Sequence, residues 1–354
     1  PSLQNKSILV IDKDQKKSND RTWCFWEKNP GPFESIIYAK WKALQFKSTD
    51  FKKELDLQSY TYKMIKGIDF YDFVLKYASK FKKVKFVQET IKSIDSALEN
   101  PVLVTNTNRY TSKYIFNSTN LFNPIITKQN SLLQHFNGWV IKTKTKSFNP
   151  KIGCLMDFDL SQENGATFMY VLPTSSNEAL VEYTLFSPNV LEKETYVRAL
   201  KKYIKEVLKI ENYTIEHEEF GIIPMSLEKF KNNPMKSVIN IGTSGGYTKA
   251  STGYTFQFIQ KNVLDIVKNL IAGRSPVQRI SFKNKIYRWY DRTLIDVLLT
   301  NKMSGKEVFT KIFKKNPAYK ILAFLGNEST ISEDLLIMKS LPTFPFLVSG
   351  LKQL

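Results

Sequence analysis

Along the chain, short apolar runs alternate with lysine-rich breaks, and the spacing within each run predicts its element. Ile8-Leu9-Val10-Ile11 is a continuous apolar run closing on Asp12, the pattern of a fully buried parallel strand that ends at an acidic residue. Gly67 to Tyr77 sets Phe70, Phe73, Val74 and Tyr77 at helical spacing and predicts a helix. Val84 to Val87 and Val102 to Thr105 read as short strands, and Tyr110 to Phe116 as a further strand returning to the sheet. From about Leu133 to Met225 the strands lengthen: Trp139 to Lys144, Gly153 to Asp159, Ala166 to Pro173 and Ala179 to Phe186, interrupted by one helix from Lys193 to Leu208. That block predicts an antiparallel sheet carrying a substrate-binding surface. Ser237 to Ile241 is another buried-type strand, running through Gly242-Thr243-Ser244-Gly245-Gly246 into a helix from about Thr252 to Leu270. Arg279 to Gly350 is helical by pattern.

These elements predict an α/β protein with a sheet domain built from separated pieces of chain, an inserted antiparallel domain and a helical cap. A length of 354 residues also favours two units sharing a cleft over one core. In dinucleotide-binding folds a strand ending at an acid is the second strand, and its carboxylate holds a ribose hydroxyl, so Asp12 is a candidate cofactor contact. The first strand and its G-x-G-x-x-G turn belong about twenty residues earlier. Seven residues precede the strand and the motif occurs nowhere in the chain, so a truncated start is expected. Taken alone, Ile8 to Asp12 fits a plain buried strand equally well.

Composition narrows the partners. Lys and Arg number 52 against 33 Asp and Glu, a formal charge of +19, which favours anionic partners such as nucleic acid, acidic lipid or a polyanionic cofactor. The charge is dispersed, as in Lys80-Phe81-Lys82-Lys83 and Lys201-Lys202, which suits a broad membrane-facing surface at least as well as a nucleic-acid groove. Solvated lysine faces without a partner account for it as well. No apolar run approaches the roughly 20 residues of a membrane-spanning helix. Cys24 and Cys154 stand far apart, which excludes a disulfide scaffold, and with His135 and His217 they match no metal-ligand spacing.

Candidate chemistry concentrates at the strand, glycine turn and helix of residues 237 to 256. Gly242, Gly245 and Gly246 let backbone approach a planar or phosphorylated ligand, and a helix starting near Thr252 offers free amides to negative charge. A tight turn alone would explain two of these glycines. Glu182 sits amid Ala179, Leu180, Val181, Tyr183 and Leu185 on a predicted strand. Desolvation there would keep it protonated, whereas simple alternation would turn it outward. Asp157, between Met156 and Phe158, is a second carboxylate. Trp23, Phe25, Trp26 and Trp139 are candidates to line an apolar tunnel, though core packing is the commoner fate of aromatics.

Several segments, in order, carry a family resemblance: Arg21-Thr22-Trp23-Cys24-Phe25-Trp26, Gln134-His135-Phe136-Asn137-Gly138-Trp139, Leu155-Met156-Asp157-Phe158, Leu172-Pro173, Val181-Glu182-Tyr183-Thr184, Gly221-Ile222-Ile223-Pro224-Met225, and Gly242 through Tyr254. Together they resemble the lycopene beta-cyclases of bacterial type. The resemblance implies an FAD/NAD(P)-binding domain of Rossmann type over 1–132 and 226–275, an inserted substrate domain over 133–225 and a helical region over 276–354. It implies ring closure of the psi ends of lycopene without net redox change, with FAD held reduced and NADPH as reductant. Glu182 then matches the acid of the family's V-E-x-T motif, and Asp157 its M-D motif. Asp12, Gly242, Gly245, Gly246, Thr252 and Gly253 become cofactor contacts, and the four aromatics substrate-lining. The implied setting is cytoplasmic and peripheral to the inner membrane, with lycopene, membrane lipid and other carotenoid-pathway enzymes as partners and no nucleic acid. A related flavin-dependent monooxygenase or isoprenoid reductase is the alternative; a noncatalytic basic nucleic-acid binder is a third.

Overall fold

The computed structural model describes residues 3–95, 99–278 and 280–354. It opens with β1 (Ile8–Asp12), β2 (Thr22–Glu27), β3 (Ala39–Trp41), β4 (Ala43–Ser48), β5 (Phe51–Asp56), β6 (Thr61–Lys66) and α1 (Gly67–Ala78). Five short strands follow: β7 (Val84–Gln88), β8 (Ile91–Asp95), β9 (Val102–Thr105), β10 (Arg109–Thr111) and β11 (Ile115–Asn117). Longer strands come next: β12 (Ser131–Lys142), β13 (Ile152–Asp157), β14 (Ala166–Pro173), β15 (Glu178–Ser187), then α2 (Lys193–Glu206) and β16 (Thr214–Ser226). After β17 (Val238–Asn240) the chain is helical: α3 (Phe256–Ile271), α4 (Phe282–Leu299), α5 (Gly305–Lys315), α6 (Ala318–Leu325), α7 (Ile331–Met338) and α8 (Thr343–Lys352).

The framework is a seven-stranded sheet in the order β16-β12-β15-β14-β13-β4-β5. All its pairs are antiparallel except β13 with β4. Alternate side chains point to opposite faces of a strand. One face carries Trp139, Met169, Val171, Val181, Tyr183 and Leu185 beneath α2, whose Tyr196, Leu200, Tyr203 and Ile204 are buried. The other carries Phe158, Phe168, Leu172, Leu180 and Phe186, packed with Phe309 and Phe313 of α5 and Ile321 and Leu322 of α6. Both faces are covered, so β14 is buried at every residue and reads as one apolar run. Each fully buried side chain of this kind contributes roughly 1.5–3 kcal/mol relative to exposure.

The structure departs from the sequence expectations in five places, the first being β12, which starts at Ser131 instead of Trp139. β4 and β5, within the stretch 1–132 assigned to nucleotide binding, join the large sheet, because β4 buries Leu44 and Phe46 in its core while pairing with β13. The Tyr110 to Phe116 run is two strands: Ser112 Oγ donates to the Tyr114 carbonyl (2.8 Å) and turns the chain, so β10 pairs with β9 and β11 runs parallel to β17. α3 begins at Phe256 instead of Thr252, because Thr252 and Gly253 both donate to the Lys249 carbonyl in a turn closed by Gly253 at φ 72°. β1 runs parallel to β7 as a two-stranded ladder, and Ile8 remains 51% exposed where full burial was expected.

Candidate active site

Pairing register builds the site. On β12, Gly138 stands opposite Glu182 of β15 on one side and Glu219 of β16 on the other, and Tyr170 of β14 lies beyond Glu182. Four strands therefore present Tyr170, Glu182, Gly138 and Glu219 as one row across one face. A Cβ placed on Gly138 would lie 3.3 Å from both Glu182 Oε2 and Glu219 Cγ, so the two carboxyl side chains lean over the glycine. Each has one hydroxyl donor: Thr184 Oγ1 to Glu182 Oε1 (2.7 Å) and Thr22 Oγ1 to Glu219 Oε2 (2.7 Å). Among the described residues, neither forms an ion pair with a cation.

Burial without a cation decides the protonation state. Desolvation, then the neighbouring charge of Glu219, pushes the Glu182 carboxyl up to about 8 against the opposing Thr184 bond. Glu219 is raised as well, chiefly by desolvation. The two interact, so their titration belongs to the pair. Glu182 keeps part of its surface accessible although desolvation dominates its proton affinity, which marks it as lining a recess.

β2 closes this recess with one face only. Thr22 reaches Glu219, burial and the charges of Glu182 and Glu219 push the Cys24 thiol well up, and Trp26 meets Tyr254 edge-on at 4.5 Å. The Tyr62 hydroxyl bonds Tyr170, and lies 3.2 Å from that of Tyr254. Burial raises both Tyr62 and Tyr254 far above neutrality. Around Glu182 the neighbours are neutral aromatic faces, hydroxyls and a thiol, while on the other flank Glu219 also feels the negative charge of Asp20. Such a site can hold a proton on a carboxyl group at neutral pH and face a cation with aromatic rings.

The glycine turn lies after β17. Gly242 and Gly246 take φ of 61° and 72°, and a Cβ on Gly242 would meet open space out to Ile259 Cδ1 at 3.9 Å. No side chain caps α3. Around its start, three buried polar atoms have no partner: Thr252 Oγ1, Gln134 Oε1 and Trp23 Nε1. Gln134 lies against Gly253, where a Cβ would collide with it, and Trp23 packs on Phe256 at 5.4 Å. A left-handed glycine turn, uncapped amides and orphaned polar atoms fit a planar ligand with a hydrogen-bonding edge.

The other candidate residues lie elsewhere. Trp23 and Phe25 point to the opposite side of β2 and pack with Phe256, while Trp26 shares the recess side and donates from Nε1 to the Leu322 carbonyl. Trp139 belongs to the α2 face of the sheet. Asp157 also lies toward α2, accepting from Tyr203 Oη (2.7 Å) and 3.6 Å from Lys47 Nζ, so it does not join Glu182. Asp12, at the end of β1, accepts from the Asp14 amide and pairs with Lys16 at 3.4 Å. His135 is held between Tyr196 Oη (2.6 Å) and Ser187 Oγ (2.8 Å), with burial lowering its proton affinity. Sequence reasoning missed Glu219. Its signal was strand parity, since counting back by twos from Met225 along Gly221-Ile222-Ile223-Pro224-Met225 puts residue 219 on the same face.

Comparison with known proteins agrees with this architecture. The chain resembles a flavoprotein/dehydrogenase from Cytophaga hutchinsonii at TM-score 0.64 and 12% identity, over 100% of this chain and 96% of that one. A flavin-dependent halogenase from Xanthomonas campestris follows at TM-score 0.62 and 9% identity, over 99% and 92%. A geranylgeranyl bacteriochlorophyll reductase-like protein from Thermoplasma acidophilum gives TM-score 0.54 and 12% identity, over 99% and 90%. At such identities these likenesses show a shared fold. No curated protein sequence matches the chain. A family model described as "Lycopene cyclase protein" matches residues 3–350. With nearly every element of the fold inside that match, the chain belongs to the lycopene cyclase family.

Proposed function

We propose that the protein closes the linear psi ends of lycopene into beta-ionone rings, giving gamma-carotene and beta-carotene, and that Glu182 is the acid that starts the reaction. The observation carrying this reading is a carboxyl group held protonated to about 8 in an aromatic recess. An alkene is a very weak base, so its protonation needs an acid still carrying its proton at working pH and surroundings that do not quench the cation. Glu182 gives its proton to the terminal double bond. The internal double bond attacks the resulting tertiary cation, and loss of a ring proton returns one proton to the carboxyl pair, so the product is an isomer of the substrate. Once Glu182 has given up its proton, it and Glu219 place negative charge beside the cation, while Trp26, Tyr62, Tyr170 and Tyr254 present aromatic faces.

Gly242, Gly245, Gly246, Thr252 and Gly253, with the start of α3, would hold FAD, and the orphaned Thr252 and Gln134 oxygens fit the polar edge of its ring. In reduced, anionic form that ring supplies further negative charge to a cationic end group, with NADPH as reductant. Among the described residues no helix is long and apolar enough to cross a membrane. A substrate dissolved in lipid then calls for surface contact with a bilayer, which the outward Phe344, Leu347, Val348 and Leu351 of α8 provide.

The test is expression in lycopene-producing bacteria, alongside Glu182→Gln. Yellow cyclic carotenoid in the parent and red lycopene in the variant is the expected pair. A parent that binds and reduces flavin yet leaves lycopene unchanged overturns the proposal. A second reading, a flavin-dependent oxidoreductase of a lipophilic substrate, draws on solved neighbours named as dehydrogenase, halogenase and reductase-like. Stoichiometric consumption of reductant with substrate would favour it.

A further inference from the structure

The inner face of the large sheet is closed at its margins, where Leu132, Leu180, Phe186 and Met225 are each at most 3% exposed. Within those margins Gln134 and Phe136 of β12, Glu182 of β15, and Gly221 and Ile223 of β16 keep part of their surface. Pairing register makes these residues one continuous floor. Phe136 stands one row from Gly138 and the carboxyl pair, between Thr184 and Gly221. One row further, Gln134 stands between Phe186 and Ile223 and lies against Gly253 of the glycine turn. Rows on one face of a strand are about 7 Å apart, so Phe136 is the midpoint of the floor that joins the carboxyl pair to the turn.

The ring of Phe136 is laid down across its neighbour. A Cβ on Gly221 would lie 2.3 Å from Phe136 Cζ and 2.7 Å from its Cε1, so the ring occupies the space a side chain at 221 would need. Any residue larger than glycine there would push the ring up into the recess. Trp26, Tyr62 and Tyr170 of the recess wall all belong to the main apolar core, whereas among the described residues Phe136 joins none of the core clusters. Protein interiors are close-packed, so a half-buried ring outside the core borders open space. Its chemistry differs from that of the wall as well. The hydroxyls of Tyr62, Tyr170 and Tyr254 are grouped by their own contacts. Phenylalanine has a negative ring face and no lone pair or acidic proton, so it can attract a carbocation without trapping it.

We propose that Phe136 is a catalytic residue of the ring closure, the platform on which the cyclising end group lies, with the carboxyl pair on one side and the glycine turn on the other. The inference rests on the cyclase reading and adds to it the place where the cation is held. Glu182 gives its proton to the terminal double bond, the internal double bond forms the new carbon-carbon bond over Phe136, and a ring proton returns to the carboxyl pair, so no further reactant is needed. The test replaces residue 136 alone, in the full chain, by phenylalanine carrying one or three ring fluorines, which drain the negative face and keep the shape. In lycopene-producing bacteria the rate of cyclic carotenoid formation, per amount of folded protein, should fall in step with fluorination. Three fluorines should slow it about 3- to 30-fold, the range of a cation held over an aromatic face. Phe136→Leu, which keeps an apolar floor without a π face, should fall at least as far. The trifluorinated residue at Phe158, which stacks on Phe309 of α5 within the core, should leave the rate unchanged.

Parental rates throughout the fluorinated series overturn the proposal, even where Phe136→Leu is slow, because the ring would then act by shape alone. An equal loss at 158 also overturns it, since the effect would not belong to the recess. A parent that leaves lycopene unconverted overturns the cyclase reading and this inference with it, whereas a converting parent with an insensitive series overturns the role of Phe136 and spares the cyclase reading.

Discussion

Glu182→Gln should leave the stability of the protein nearly unchanged at pH 5 and raise it at pH 9. An unfolded Glu titrates near 4.5, whereas the folded Glu182 carboxyl holds its proton to about 8. Between those values the folded state binds a proton that the unfolded state has lost. The stabilisation linked to that proton is therefore complete below pH 4.5 and disappears as pH rises through 8. Converted directly, the shift caps the effect at about 5 kcal/mol. Glu182 retains some solvent access and shares its titration with Glu219, so about 1–3 kcal/mol is the working expectation at pH 9. Gln cannot ionise, keeps an oxygen for Thr184 Oγ1, and no longer repels Glu219. Urea unfolding of wild type and variant at pH 5 and pH 9 measures the difference, with the other titrating groups cancelling between the two proteins. Midpoints that coincide at pH 5 and separate in favour of the variant at pH 9 are expected. A wild-type-to-variant difference that is the same at both pH values would refute the assignment of a buried, protonated carboxyl at 182.

Gly138→Ala inserts a methyl group 3.2 Å from Leu180 Cδ1 and 3.3 Å from Glu182 Oε2 and Glu219 Cγ. It should cost about 1–3 kcal/mol of stability by overpacking, and should cut carotenoid conversion at least 10-fold by driving the carboxyl groups apart; conversion at wild-type level in a folded variant would count against the paired site. On α8, Phe344→Ser with Leu351→Ser removes two side chains that are 77% and 62% exposed. At roughly 2 kcal/mol for each inserted apolar side chain, co-sedimentation with anionic phospholipid vesicles should fall by more than 10-fold, and unchanged sedimentation would exclude α8 as the membrane contact.

How far the sequence carries depends on which interaction decides each element. β14, β15, α1 and α2 were legible because their period is set locally by the faces they bury. The inclusion of β4 in the large sheet was not, since its partner β13 lies about a hundred residues away and their parallel pairing leaves no local mark. The aromatic segment of β2 shows a limit of composition: Phe25 and Trp26 are neighbours, and a strand cannot aim both at one ligand. Parity alone separates Trp23 and Phe25, which pack on α3, from Thr22, Cys24 and Trp26, which close the recess. The apolar setting of Glu182 could be read along its own strand. Its partner could not, because Glu219 meets it only across a third strand.

That third strand explains why the row contains a glycine. Neighbouring strands stand about 4.8 Å apart, so the backbones of β15 and β16 opposite Gly138 are separated by roughly 10 Å. Any larger residue on β12 would fill the space between them and insulate one carboxyl group from the other. With only a hydrogen at that position, the two Glu side chains lean inward from both flanks until the charge of one is felt by the proton of the other. The acid at 182 thus draws on two independent causes. Desolvation comes from the aromatic walls, and repulsion comes from Glu219 across the gap that Gly138 leaves open. Replacing the glycine removes the second while sparing the first, and replacing Glu219 with Gln does the same without steric strain. Both changes should move the alkaline limb of activity to lower pH, and Glu219→Gln should do so in a protein whose packing is otherwise intact.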